Sequence, residues 1–321
     1  MAHTDGVDCV CITGPTACGK TDLALALAER LPLEIVSMDS AMVYRGLDIG
    51  TAKPPVEVRA AVPHHLIDIV EPTESYSAGR FARDAASLIA AINARGRLPL
   101  LVGGTLLYLR ALRDGLAMLP RADRRVRDEL DRDAATHGWE ALHERLRSVD
   151  PEAAARIAPS DRQRIQRALE VYALTGRPIT ALQREGAAAP RPNILALALV
   201  PESRTDLAVR IERRFDAMVE GGLVGEVEVL RARGDLTRDM PAMRAVGYRQ
   251  VWAYLDGAYT WSEARLKAVV ATRQYAKRQL TWLRGDAAIE PWPALAPDLL
   301  SRCMQRLSKE NLVAKNARGL C

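Results

Sequence analysis

Gly14-Pro15-Thr16-Ala17-Cys18-Gly19-Lys20-Thr21 is the stretch on which the reading of the fold turns, because it satisfies GxxxxGK[ST] at every fixed position. Ahead of it, Cys9 to Thr13 is a short apolar run with β-branched residues and reads as a buried strand. Behind it, Lys20 to Leu31 carries leucine and alanine at helical spacing and stops at Pro32. Strand, glycine-rich turn and helix in that order make a loop whose backbone N–H groups converge on phosphate oxygens. The positive end of the helix dipole stands behind them. Lys20 is placed to reach the terminal phosphates, and the Thr21 hydroxyl to ligate Mg²⁺.

Outward from this loop the same alternation continues. Leu33 to Ser37 reads as a second strand and His65 to Val70 as a third. Phe81 to Ala94 reads as a helix, and Leu98 to Val102 as a strand opening into Gly103-Gly104. Strands alternating with helices predict an α/β fold, a P-loop NTPase-like parallel sheet flanked by helices. After Pro120 the texture changes to helical patterns rich in arginine, closing in the Pro/Gly/Ala-rich stretch Gly186 to Pro192. Residues 121–192 are therefore expected to form an all-helical insertion domain in a catalytic core made of 1–120 and 193–321. Strand character returns at Ile194 to Val200, and long helices are expected from there to a frayed tail at Lys309 to Cys321.

Composition limits the function classes. A chain of 321 residues, 48% hydrophobic and 26% charged, is a globular protein and not a disordered one. Its five cysteines (Cys9, Cys11, Cys18, Cys303 and Cys321) include no CxxC pair, so neither a zinc ribbon nor a disulfide framework is supported. No basic segment precedes an apolar one at the N-terminus, and the longest apolar run, Ile194 to Val200, is too short for a bilayer. A cytoplasmic, membrane-free, monomeric protein is the expectation.

Lys+Arg 45 against Asp+Glu 40 leaves a net charge of only +5, but 39 of those 45 are arginines. Arginine excess fits planar phosphate recognition or a GC-rich genome, and composition alone leaves both open. Distribution says more. Between Glu263 and Asp286 there is no acid, yet Arg265, Lys267, Arg273, Lys277, Arg278 and Arg284 fall there. Smaller basic clusters are Arg121, Arg124, Arg125 and Arg127, then Arg162, Arg164 and Arg167. Such an uneven field suits a polyanionic partner.

A nucleotide triphosphatase also needs a carboxylate at the end of an apolar strand to position metal and water. The strand ending at Val102 runs into Gly103-Gly104-Thr105 with no acid, whereas Leu33 to Ser37 leads to Met38-Asp39-Ser40. Asp39 reads either as a base for an incoming nucleophile or as a turn and capping residue.

Several long strings then resemble the tRNA dimethylallyltransferases, also called tRNA isopentenyltransferases, of bacterial type. They are the loop Gly14 to Thr21, Asp39-Ser40-Ala41-Met42-Val43-Tyr44-Arg45-Gly46, and Asp48 to Pro54. Pro63 to Asp68, Gly103 to Tyr108, Asp161 to Val171, Ala245 to Arg249 and Thr272 to Trp282 extend the match. Two departures stand out: Cys18 where the family usually has serine, and Met42 where many members carry glutamine. The C-terminal Cys/His zinc finger of eukaryotic members is not expected here, since no histidine follows His143.

The resemblance implies transfer of a dimethylallyl group from dimethylallyl diphosphate to N6 of the adenine 3′ of the anticodon, in tRNAs reading codons that begin with U. The loop Gly14, Pro15, Thr16, Ala17, Cys18, Gly19, Lys20, Thr21 would then hold a prenyl diphosphate and not ATP, with Arg214 as a further contact. It also implies Asp39 as the base, with Thr105 beside the amine or the leaving oxygen, and Lys20 against the developing trianion. The anticodon stem-loop would be faced by Asp39, Ser40, Ala41, Met42 and Thr105, and by Arg127. Gln163, Arg164, Ile165, Gln166 and Arg167 would face it too, with Ile165 packing inward, as would Arg244, Ala245, Val246, Gly247, Tyr248 and Arg249. Tyr275 and Trp282 on the basic C-terminal helix read either as stacking residues or as core aromatics, with core the expectation, and His64 and His65 as structural or pocket-lining residues. Three other readings stay open at this stage: a small-molecule kinase, a prenyltransferase acting on free adenine nucleotides, and a non-catalytic tRNA-binding protein.

Overall fold

Parallel strands need crossover connections, and every strand pairing among the described residues is parallel. The computed structural model describes residues 6–115, 117, 119, 120, 122–185, 191–310 and 312. Arg121, most of the Gly186 to Pro192 stretch and most of the expected tail from Lys309 to Cys321 lie outside the described residues. The chain divides into two compact units, Met1–Arg113 with Arg191–Cys321, and Asp114–Pro190. Among the described residues no helix is long and apolar enough to cross a membrane.

In the first unit the order is β1 (Cys9–Thr13), α1 (Lys20–Ala28), β2 (Leu33–Ser37), α2 (Val56–Ala61), β3 (His64–His65), α3 (Ala78–Ala94), β4 (Leu98–Val102) and α4 (Leu106–Arg113). The second unit holds α5 (Arg124–Val149), α6 (Pro151–Arg156), α7 (Arg162–Thr175) and α8 (Ile179–Glu185) around its own apolar cluster, with Leu142, Leu146, Ile165 and Val171 at its centre. The first unit resumes with β5 (Ile194–Val200), α9 (Arg204–Glu220), α10 (Leu223–Ala232), α11 (Tyr248–Leu255), α12 (Trp261–Arg284), β6 (Ile289–Pro293) and α13 (Leu299–Lys309).

The six strands form one sheet in the order β3-β2-β4-β1-β5-β6. β1 and β2 are buried at every residue, as strands covered on both faces must be; β1 is apolar up to Thr13, whereas β2 also buries Glu34, which is paired with Arg95 and His65 at 2.7 Å each. Pro99 sits in central β4 without breaking it. The Leu98 N–H points toward β2 and donates to Pro32, so the next nitrogen points toward β1, whose pairing begins only at Leu100.

Two expectations fail locally. The strand expected over His65 to Val70 is only His64–His65, because Leu66 (φ 62°) and Asp68 (φ 56°) take the left-handed conformation, which no strand can continue through. Tyr44 and Val70 make a single bridge beyond it. The C-terminal part is not all helical. Ile289-Glu290-Pro291-Trp292-Pro293 adds a sixth strand, and two prolines are tolerated because it pairs with β5 alone, at the sheet edge.

Since all strands are parallel, the loops after β1, β2 and β4 emerge on one edge of the sheet, and these strands are neighbours. Hydrogen bonds carry the ladder past the strand ends: Met38 N–H to Val102, Gly103 N–H to Ile12 and Thr105 N–H to Met38. Gly103 must be glycine, as a Cβ there would stand 2.1 Å from the Met38 carbonyl oxygen. The phosphate loop, Asp39 and Thr105 are brought together by that close approach.

Candidate active site

The loop from Gly14 to Thr21 is bent by backbone that few side chains accept. Gly14 has φ 142°, and a Cβ on it would meet the Leu199 carbonyl oxygen of β5 at 2.5 Å. Ala17, at φ 63°, turns its carbonyl to the Arg210 Nε, which donates at 2.8 Å. α1 starts from Gly19 with no side-chain cap, so the amides of its first turn are left for an anion. Lys20 Nζ donates to the carbonyls of Gly14 (3.0 Å) and Pro15 (2.7 Å), and burial lowers its pKa to about 8. Cys18 is buried and its thiol pushed up by that burial, so it packs as a neutral side chain. Thr21 lies exposed in the first turn of α1.

α9 supplies more of this site than the sequence suggested. Arg210, Arg213 and Arg214 all line a cavity of about 340 Å³ that also takes in the phosphate loop. Only Arg214 was expected. The spacing i, i+3, i+4 in Arg210-Ile211-Glu212-Arg213-Arg214 is the signal that places all three on one helix face. Burial works against the Arg214 charge and lowers its pKa, while Asp39 and Asp22 support it. Apolar Ile35, Ile67 and Val102 line the same cavity.

Asp39 ends the run from β2 and does two things with its two oxygens. Oδ1 accepts the backbone N–H groups of Ala41 (2.8 Å) and Met42 (3.3 Å), which is the turn role. Oδ2 has no hydrogen-bond partner among the described residues and is left for a ligand. Thr105 Oγ1 accepts the Ser40 N–H at 3.1 Å and lies 3.4 Å from the Ser40 hydroxyl. The two loops are thereby joined.

A second cavity, of about 380 Å³, opens beyond them. Ser40, Ala41, Arg244, Ala245, Val246 and Gly247 contribute to its wall. Thr16, Asp39, Arg214 and Tyr275 line both cavities. Tyr275 was expected in the core, yet it stands at this junction, with its pKa pushed up to about 12 by burial. Trp282 was expected in the core too, and it is 43% exposed instead. It lies in the last turn of α12, near the Gly285 that ends the helix, whereas Tyr275 lies two turns earlier and over the cavities.

Of the remaining candidates in this unit, Arg244 and Arg249 are exposed, while Tyr248 is fully buried with its hydroxyl donating to Glu226. Tyr248 therefore offers a ligand no side-chain surface here. The same Glu226 accepts the N–H groups of Asp48, Ile49 and Gly50, tying the Asp48 to Pro54 segment to α10. His65 Nε2 lies 2.7 Å from Glu34 and His64 Nδ1 2.6 Å from the Val62 carbonyl, and no group of three His, Cys, Asp or Glu among the described residues could hold a metal.

The basic stripe of α12 is partly neutralised. Arg265 pairs with Asp216 (2.7 Å) and Glu212 (3.1 Å), and Arg273 pairs with Glu212 (3.3 Å), all on α9.

In the second unit, α7 separates its residues by burial. Ile165 is fully buried, Arg164 is exposed beside Asp161 (3.2 Å), and Gln166 Nε2 donates to Asp131 at 2.7 Å. Arg127 (2.8 Å) and Arg167 (2.6 Å) both grip Glu170, whose side chain is 0% exposed. Burial opposes the Glu170 charge, but hydrogen bonds from Arg127, Arg167 and the Asp123 amide hold its pKa below the usual carboxylate range. Arg127 and Arg167 thus hold the unit together, whatever else they touch.

Comparison with known proteins places this arrangement. The IPP transferase family model matches residues 42–286. The tRNA dimethylallyltransferase of Halorhodospira halophila is 60% identical over 278 residues, covering 86% of this chain and 90% of that protein. That of Alkalilimnicola ehrlichii is 58% identical over 281 residues, covering 88% and 89%. Among solved structures, the full-length tRNA isopentenylpyrophosphate transferase from Bacillus halodurans superposes with a TM-score of 0.69 at 41% identity, covering 96% of this chain and 97% of that one. A eukaryotic dimethylallyltransferase acting on tRNA superposes with a TM-score of 0.78 at 27% identity, covering 94% and 78%. A phosphate loop that shares a cavity wall with a carboxylate whose Oδ2 is unengaged among the described residues, in a chain this similar to those enzymes, leads to one conclusion: the protein belongs to the IPP transferase family.

Proposed function

We propose that this protein transfers a dimethylallyl group from dimethylallyl diphosphate to N6 of the adenosine 3′-adjacent to the anticodon, in tRNAs reading codons that begin with U, and releases diphosphate. The observation that carries the reading is the pair of cavities sharing Thr16, Asp39, Arg214 and Tyr275. One is built on the phosphate loop and the other opens toward Arg244 to Gly247, so donor and acceptor can approach from two sides.

In this reading the amides of Gly14 to Thr21, Lys20 and Arg214 hold the diphosphate, and the apolar Ile35, Ile67 and Val102 take the allyl group. The C1–O bond breaks with its electrons passing to the diphosphate, the N6 lone pair forms the C1–N bond, and an N6 proton passes to Asp39 Oδ2. Thr105 orients the amine. A base inside a stacked anticodon loop must be extruded to reach Asp39, at a cost of a few kcal/mol for unstacking. Mg²⁺, if carried by the diphosphate, would be held by the Thr21 hydroxyl and would neutralise leaving-group charge. An ion coordinated mostly by phosphate and water fits a site where Thr21 is exposed and no carboxylate cage is found among the described residues.

Incubation with labelled dimethylallyl diphosphate, Mg²⁺ and either bulk tRNA or AMP tests the reading. Label is expected in tRNA alone. Transfer to AMP with none to tRNA would assign the protein to free nucleotides, and no prenyl transfer to either, with phosphoryl transfer from added ATP to a small-molecule acceptor instead, would make it a kinase.

The arginines of α7 give a second prediction. Arg164→Ala is expected to lower the salt dependence of tRNA binding by about one phosphate contact while leaving Tm unchanged. Arg167→Ala is expected to destabilise the protein by roughly 1.5–3 kcal/mol, since it strips a charge-assisted hydrogen bond from buried Glu170. Salt titrations of binding beside thermal melts separate the two, and an unchanged slope for Arg164→Ala would make that residue a solvated surface charge.

A further inference from the structure

Gln279 lies within α12, 4% exposed, and its amide spans two loops far away in sequence. Its Oε1 accepts the Thr16 N–H of the phosphate loop at 3.1 Å. Its Nε2 donates to the Gly104 carbonyl at 2.8 Å. A primary amide is suited to this because it accepts at one end and donates at the other. Gly104 completes the fit, for a Cβ there would stand 2.2 Å from the Gln279 Nε2 and 3.2 Å from the Gly14 carbonyl oxygen. Of the loops so joined, one supplies Lys20 and the other leads directly into Thr105.

We propose that Gln279 is a positioning residue for prenyl transfer, a single buried amide that sets the spacing between the phosphate loop and the Gly103 to Thr105 turn. The inference rests on the function proposed above. It commits the Thr16 N–H to Gln279, so the diphosphate is held by the other amides of the loop together with Lys20 and Arg214. Gln279 also lines the loop cavity, but both ends of its amide are taken up by Thr16 and Gly104, so alignment of the leaving group with the attacking amine depends on it through the two loops it joins. A misplacement of about 1 Å between reacting groups can cost roughly 10²-fold in rate.

Gln279→Met keeps the length of the side chain and removes both hydrogen bonds. Single-turnover transfer at saturating dimethylallyl diphosphate and tRNA, normalised to active sites, is expected to fall by roughly 10–100-fold. Dissociation constants for both substrates should stay within about threefold of wild type, which separates misalignment from lost binding. Gln279→Glu retains the acceptor for Thr16 but sets a carboxylate oxygen against the Gly104 carbonyl, and should lose at least as much. Hydrogen exchange at the Thr16 amide of the unliganded protein is a readout that needs no activity: protected in wild type, and faster in Gln279→Met.

A folded Gln279→Met that transfers within about threefold of wild type would overturn the proposal, as would a loss confined to the dissociation constants. Equal Thr16 exchange in the two proteins would overturn it as well. Failure of the wild type to modify tRNA would instead remove the function on which the proposal rests, while the exchange experiment would still report whether Gln279 holds the loop.

Discussion

Lys20→Ala is expected to slow transfer by roughly 10²–10³-fold, the usual cost of removing one preorganised donor from a developing anion. The side chain already stands over the phosphate loop, with Nζ on the carbonyls of Gly14 and Pro15, so little rearrangement is needed when diphosphate arrives. tRNA affinity should change far less, because Lys20 belongs to the loop cavity and not to the one lined by Arg244 to Gly247. Burial has lowered the Lys20 pKa to about 8. A lysine is charged below its pKa, so the unliganded site loses this charge as pH rises through about 8, while bound diphosphate favours the charged form. Donor binding in that range therefore takes up a proton, and the KM for dimethylallyl diphosphate should rise with pH above about 8. The same rise should be absent from Lys20→Ala. Near-normal turnover in the variant, at any pH, would remove the loop lysine from the mechanism.

What can be read without the structure is what short-range chemistry decides. β1, the phosphate loop and α1 are legible because their glycines, lysine and flanking patterns sit within about two dozen residues of chain. β5 is legible because Ile194 to Val200 is apolar throughout and has no other home than the sheet interior. β6 is not, since its prolines argue against a strand until its edge position is known. Leu66 and Asp68 carry no mark of their left-handed backbone, so the strand expected after His65 is too long.

The site follows the same rule. Lys20 and Thr21 are proposed from the motif and Asp39 from the strings that resemble the family, but Gln279 bonds Thr16 across 263 residues of sequence, and nothing local announces it. Charge misleads for the same reason. The acid-free run from Arg265 to Arg284 looks like an open basic surface until α9 supplies Glu212 and Asp216 to it. Arg127 and Arg167 look like ligands for a polyanion until Glu170 is found buried between them. Long-range partners, and not residue types, decide which arginines remain available.

Asp39→Asn is expected to lower the chemical step by about 10²–10⁴-fold, the range a general base contributes. The structure sharpens why this substitution is the informative one. The turn role of Asp39 uses Oδ1, which accepts from Ala41 and Met42, and an asparagine Oδ1 can accept the same two N–H groups. In the proposed mechanism the base role falls to Oδ2, and asparagine puts an NH₂ there, which cannot take up a proton. Stability and the Ser40 to Met42 backbone should thus survive while the proton acceptor is lost. Asp39→Ala would lose both, so it should show a lower Tm as well as a slow reaction. Neither neighbour can substitute: Thr105 is too weak a base, and burial pushes Tyr275 up to about 12, which keeps it protonated near neutral pH. The measurement is the single-turnover rate at saturating tRNA with Tm recorded beside it, and ground-state tRNA binding should stay close to wild type. An Asp39→Asn protein that transfers at the wild-type rate would leave Asp39 with its turn alone, and the N6 proton would need another acceptor.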